Sequence, residues 1–149
     1  MSDYTERFSE VAYPLVYEHA DSFTATATYD SSYVSLMNYH RAVLIVNVGD
    51  IQANGTIDVS IRQATDTSGT GAKAITGKSI TQLAQGDGDG DDLVCIELRT
   101  EELDVTNNFD CVSVRLTVAS ANAELSYILF GLVPRFPPTG TTNWAEVVD

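Results

Sequence analysis

The chain has 149 residues, 44% of them hydrophobic, with 8 Lys plus Arg against 21 Asp plus Glu and a formal charge of −13. That length suits one domain, which on folding buries roughly 70% of the surface its unfolded chain exposes, so one self-sufficient core is expected. The charge repels phosphate backbones and anionic membrane surfaces, which argues against direct nucleic-acid or membrane binding and favours solubility.

Residues 1–10 contain Asp3, Glu6, Arg7 and Glu10 and no apolar run, unlike the hydrophobic region of a secretory signal, so the cytoplasm is the expected place of synthesis. No segment reaches the roughly 20 apolar residues of a spanning helix. Residues 1–20 mix aromatics with charge, lack a clean period and read as an N-terminal arm. Phe23, Ala25, Ala27 and Tyr29 then alternate with Thr24, Thr26 and Thr28, which predicts a first strand. Residues 33–36 read as a short second strand after an Asp30-Ser31-Ser32 turn, and 41–48 as an apolar strand buried on both faces. Asn54-Gly55 tolerates the positive φ of a tight turn, and Ile57, Val59 and Ile61 alternate with Asp58, Ser60 and Arg62. Together these predict a β-hairpin over 41–63.

Residues 64–72 form a loop of turn residues, and Ile75 and Ile80 flank Gly77-Lys78 in a bent strand or small hairpin. An acidic loop, QGDGDGDD, covers 85–92. Residues 93–100, 109–118 and 124–133 supply the last three strands; in the second, Val112, Val114, Leu116 and Val118 alternate with Ser113, Arg115 and Thr117. Beyond 133, Pro134, Pro137 and Pro138 remove backbone donors and favour an extended tail over 134–149, which ends in a Trp144-containing segment that needs cover, from its own body or a neighbouring subunit. The fold class is all-β: a single jelly-roll-like β-sandwich of about seven or eight strands over 21–133, between the arm and the tail.

Chemistry-bearing patterns are sparse. Asp87, Asp89 and Asp91 resemble the start of a calcium loop, but the sixth and twelfth positions hold Asp92 and Leu98 where an EF-hand has Gly and Glu. A simpler calcium site on Asp87, Asp89, Asp91 and Asp92 is the weaker reading beside a solvated turn. His19 and His40 have no nucleophile signature near them, and His40 reads as a structural residue. Glu101 and Glu102 are adjacent, so their side chains point apart, and they read as a solvated strand end rather than as a glycosidase pair. Cys95 and Cys111 are too few for a disulfide framework and are expected as reduced thiols packed like small hydrophobes. No phosphate-cradling glycine motif is present, and neither a cofactor nor enzymatic activity is expected.

The passages IRQATDTSGTGAKAITGKSITQL (61–83), ELRTEELDVTNNFDCVSVRLTV (97–118) and FGLVPRFPP (130–138) resemble small structural proteins found among the head genes of tailed bacteriophages and prophages. Members of that group act as capsid decoration, or cement, proteins. The resemblance covers roughly residues 39–138 and lies in phrasing and strand order; the acidic loop and the Trp144 tail depart from it. It implies a non-enzymatic virion protein made in the host cytoplasm. That protein would bind the outer surface of the shell through the major capsid protein and stabilise it, as a homo-oligomer, with a trimer favoured. The arm and tail are then the expected contact segments, through Tyr4, Phe8, Tyr13, Tyr17, Arg135, Phe136 and Trp144. Two alternatives stand beside it: a head-tail connector or tail ring component, and a carbohydrate-binding jelly-roll module using Tyr33, Tyr39 and Trp144.

Overall fold

A computed structural model describes residues 6–136 and 143–148. A four-residue helix, α1 (Phe8–Val11), leads into ten strands. They are β1 (Ala12–Phe23), β2 (Ala27–Asp30), β3 (Val34–Ser35), β4 (Tyr39–Ile51), β5 (Thr56–Ala64), β6 (Lys73–Ser79), β7 (Leu83–Ala84), β8 (Leu93–Arg99), β9 (Cys111–Ala119) and β10 (Ala123–Pro134). One sheet runs β1-β10-β4-β8 and the other β2-β9-β5-β6, with β3 also on β9 and β7 also on β5. All the strand pairs are antiparallel. Because β2 and β3 share one neighbour, as do β6 and β7, each couple counts as one interrupted strand. Eight positions then remain, ordered 1-8-3-6 and 2-7-4-5. That order is a jelly roll, and the all-β sandwich read from the sequence is the fold that forms.

The interior is filled by alternate residues of both sheets. Leu44, Val46, Leu125, Leu129, Ile96 and Leu98 face Ile57, Val59, Ile61, Val114, Leu116 and Val118, all of them buried in one cluster. The period of two read along 57–62 and 112–118 thus corresponds to real inward and outward faces.

Several local expectations give way. Residues 12–20 belong to β1, which pairs with β10 from Ala12↔Leu132 to Phe23↔Ala123. Its period is obscured because the register shifts between Pro14 and Val16 and again between Glu18 and Asp21. The run from Phe23 to Tyr29 is broken at Thr26, whose φ of 58° turns the chain out of one sheet and into the other. The expected hairpin over 41–63 does not form. Asn54 does take the turn conformation, at φ 66°, but β4 pairs with β10 and β8 while β5 pairs with β9, β6 and β7. The turn therefore carries the chain across the sandwich. Nor is β4 buried on both faces: Ala42, Leu44, Val46 and Val48 point inward, while Ile45 and Asn47 are exposed. Around Gly77, at φ 77°, the bent strand is β6, with a register shift opposite Ser60 and Arg62.

Gly131 marks a close approach. A Cβ there would lie 2.8 Å from ring carbons of the buried Tyr39. Gly131→Ala is expected to lower unfolding stability by about 1–3 kcal/mol, the range for overpacking a core. Urea denaturation should also show Tyr39→Leu restoring part of that loss in the double variant. Wild-type stability in the single variant would mean that the ring yields freely.

Candidate functional site: an apolar outer face and an arginine-lined end groove

The outward face of the β1-β10-β4-β8 sheet carries an apolar row. Tyr17 pairs with Ile128, Ile128 with Ile45, and Ile45 with Cys95, one residue from each strand. Tyr17 is 58% exposed, and Ile128 and Ile45 are each 36% exposed. In the adjacent outward row stand Pro14, Phe130 and Val43. Phe130 is nevertheless buried, because Phe8 of α1 and Trp144 of the C-terminal segment cover it, with ring centroids 5.6 and 6.1 Å away. Phe8 and Trp144 also meet edge to face at 6.3 Å. Asn143 donates from Nδ2 to the Pro14 carbonyl at 2.8 Å, tying this segment to β1. The C-terminal residues 143–148 thus fold back on their own body. Between them and α1 lies a cleft of about 490 Å³ lined by Phe8, Trp144, Val147 and Val148 among others.

The expected contact residues divide accordingly. Phe8, Tyr17 and Trp144 belong to this face. Tyr13 instead packs its ring 6.1 Å from that of Tyr39 and donates its hydroxyl to the Glu10 carbonyl. Arg135 and Phe136 follow the C-terminal end of β10, where Asn38 grips the backbone. Asn38 donates to the Phe136 carbonyl at 2.8 Å and accepts the Phe136 N–H at 3.0 Å, and its carbonyl accepts the Arg135 N–H at 2.7 Å. Tyr4 lies outside the described residues.

A second feature escaped the sequence reading. At the end of the sandwich a groove of about 540 Å³ is lined by Leu36, Met37, His40, Arg41, Arg99, Thr100, Glu101, Leu103, Val105, Phe109, Asp110 and Arg135. Three of the chain's eight cationic side chains meet there. Arg41 and Arg99 stand directly opposite one another in the β4–β8 register, an arrangement in which like charges repel. Arg99 lies 3.6 Å from Glu101, both well exposed. Arg41 and Arg135 have no acidic partner among the described residues.

Three of the other five cations tie elements of the fold together, and Arg62, with no salt bridge among the described residues, donates to the Ala72 carbonyl at 3.2 Å. Arg115 grips Asp30 with two bonds of 2.6 Å across β9 and β2, and holds the Asp30 carboxyl below its ordinary 3.8. Lys73 pairs with Asp104, which also accepts twice from Asn107 at 2.9 Å, and lies 4.1 Å from the Phe109 ring centroid. Lys78 reaches from β6 to Glu102, at 2.9 Å, and to the Glu97 carbonyl of β8, at 2.8 Å, joining the edges of the two sheets. Bonding from the Arg99 N–H, then the contact with Lys78, depresses the Glu102 pKa. Glu102 is thus structural, and Glu101 turns to Arg99 instead.

In the acidic loop, Asp89 accepts the Ala84 N–H at 2.8 Å and so caps its own turn, while Gly88 and Asp91 take left-handed conformations at φ 84° and 63°. Among the described residues no three His, Cys, Asp or Glu side chains gather as metal ligands. His19 is exposed beside Glu18, and the carbonyl of His40 accepts from the Thr100 hydroxyl at 3.3 Å. Both cysteines are free, but only Cys111 is packed as a small hydrophobe; Cys95 is exposed, because it takes the outward phase between inward Val94 and Ile96. Burial, then the Asp110 carboxylate that accepts its S–H at 3.1 Å, pushes the Cys111 thiol up to about 12.

No protein-family model matches the chain, and no curated protein sequence matches it. Among solved structures it is similar to a chain of infectious bursal disease virus, Gt strain, with 11% identity and a TM-score of 0.46 over 85% of this chain. This chain spans 33% of that one. A chain of broad bean stain virus is similar over 96% of this chain and 98% of its own, with 10% identity and a TM-score of 0.40. The jelly-roll assignment rests on strand order and register.

Two measurements follow from the site chemistry. A chromogenic disulfide reagent at mildly alkaline pH should titrate Cys95 alone in the folded protein and Cys111 only after denaturation; reaction of both thiols at one rate would contradict the burial of Cys111. Asp30→Asn is expected to cost at most about 1 kcal/mol at neutral pH, since the pair is partly exposed. Because the folded-state pKa of Asp30 is depressed, that contribution is present above the ordinary value of 3.8 and fades as pH falls below it. Urea titrations of both proteins across that range should therefore converge in acid.

Proposed function

We propose that this protein is a non-enzymatic virion structural protein. It binds the outer surface of a tailed-phage capsid and stabilises the shell, most simply as a homotrimer over a symmetry point. The observation that carries this reading is the apolar outer face, on which Tyr17, Ile128 and Ile45 lie open to solvent beside Phe8, Trp144 and Val148. An exposed apolar row of this kind on a chain of net charge −13 supports reading the face as an interaction surface. The resemblance of residues 61–83, 97–118 and 130–138 to phage head proteins supports the same address. Jelly rolls recur in viral capsids and in lectins, so the fold by itself does not choose between them, and the site must. For a lectin, Tyr39 would have to serve an exposed aromatic platform, whereas it is buried beneath Gly131.

Attachment that favours the intact lattice over its separated subunits stabilises the shell by mass action. Several modest contacts per oligomer suffice, because each later contact benefits from effective concentration. Capsids assembled without the protein and then mixed with it should show regular density on their outer surface by cryo-electron microscopy. Ile45→Glu with Ile128→Lys, an opposite-charge pair across the β4–β10 register, should abolish that density while lowering stability by about 1–3 kcal/mol, since each position is 36% exposed. Bare shells with the wild-type protein would sink the proposal, and density only at the portal vertex would transfer it to a connector.

A further inference from the structure

We infer that the end groove is a binding site for a short acidic peptide segment bearing an apolar side chain, supplied by another protein. This goes beyond the virion reading and does not depend on it. Arg41 and Arg99 are fixed opposite one another on neighbouring strands. Nothing in the fold requires that juxtaposition, which in an antiparallel pair is unfavourable. The chain has 21 acidic side chains with which to neutralise 8 basic ones, yet Arg41 and Arg135 have no acidic partner among the described residues. Arg99 has the loose and exposed contact with Glu101, which water and salt screen, and a weaker attraction to Glu102, whose bonds go to the Arg99 N–H and to Lys78. Asp110, the other carboxylate on the groove, accepts from Cys111. An entering carboxylate would meet guanidinium groups that offer paired donors, and would relieve the repulsion between them.

The rest of the groove chooses among anions. Its wall is apolar, formed by buried Leu36, Leu103 and Phe109 and by Met37 and Val105, which are 69% and 59% exposed. Inorganic phosphate would satisfy the arginines and leave that wall wet. A nucleic acid would bring its phosphates against a chain of charge −13. A peptide that sets carboxylates on Arg41, Arg99 and Arg135 and an apolar side chain against Leu103 and Phe109 uses both surfaces. The groove's volume of about 540 Å³ lies in the usual range of ligand sites.

The test is a titration of the isotope-labelled full chain with the probe acetyl-Asp-Leu-Leu-Glu-amide, a sequence that this chain does not contain, followed by amide chemical shifts. Shifts should centre on residues 36–41, 99–110 and 135, with half-saturation at or below about 1 mM and weakening as salt is raised. Arg41→Gln with Arg135→Gln should weaken binding about tenfold or more. Should that variant fail to fold, Arg135→Gln alone serves, since Arg135 is held by its backbone N–H and its side chain is exposed. Three results would overturn the inference: no shifts at the groove, equal affinity for acetyl-Asn-Leu-Leu-Gln-amide, or inorganic phosphate displacing the peptide at equal concentration.

Discussion

Everything else in this molecule depends on the dry contact between two sheets that each have one apolar face. Leu44, Val46, Leu125 and Leu129 have no other place to be buried than against Ile57, Val59, Val114 and Leu116. A strand with one apolar face gains little from folding back on its sequence neighbour in the same sheet unless a second layer covers the pair. The chain therefore changes layers after β1, β3, β4, β7, β8 and β9, and β1 meets β10 across nearly the whole sequence. Local turns open the crossings, while distant pairings close the core. A fold dominated by such pairings forms slowly relative to its stability, because loop-closure entropy is lost before the contacts that offset it are made.

This dependence explains what could be read in advance. The faces of β5 and β9 were legible because Ile57, Val59, Ile61 and Val112, Val114, Leu116, Val118 keep a strict period of two. Asn54 and Gly77 were legible as turn residues because few side chains tolerate positive φ. Which sheet a strand enters after a turn is not written locally, so the sequence around Asn54 fits a hairpin as well as a crossing. β1 was hidden for a different reason. Two register shifts and a mostly half-exposed surface break its alternation, and only its pairing with β10 defines it. The arginine groove was hidden most deeply, since Arg41, Arg99 and Arg135 are far apart in sequence and converge only through the β4–β8 pairing and the end of β10.

Scarcity makes the placement of cations informative. With so much negative charge available, a positive side chain can find a partner almost anywhere, and several do so where the fold needs a tie. Arg115 joins β9 to β2, Lys73 joins β6 to the turn at Asp104, and Lys78 joins the edges of the two sheets. Each pair is partly exposed and individually modest. Their value lies in position: Lys73 and Lys78 link elements that no ladder joins, while Arg115 and Asp30 reinforce a register pair of β2 and β9. Against that background Arg41 and Arg135 are conspicuous, because they hold no junction.

The apolar outer face and the arginine groove also share a strand. Arg41, Val43 and Ile45 alternate outward along β4, so the groove rim and the centre of the apolar row are four residues apart, a span of about 13 Å in an extended chain. A rigid strand transmits position between them without any change of conformation. A shell subunit lying across Ile45 and Ile128 would therefore come within reach of the groove, and an acidic segment from that subunit or from its neighbour would find the arginines already set. Apolar contact would then supply area while the groove supplies registration, which separates attachment to the surface from recognition of where on the surface to attach.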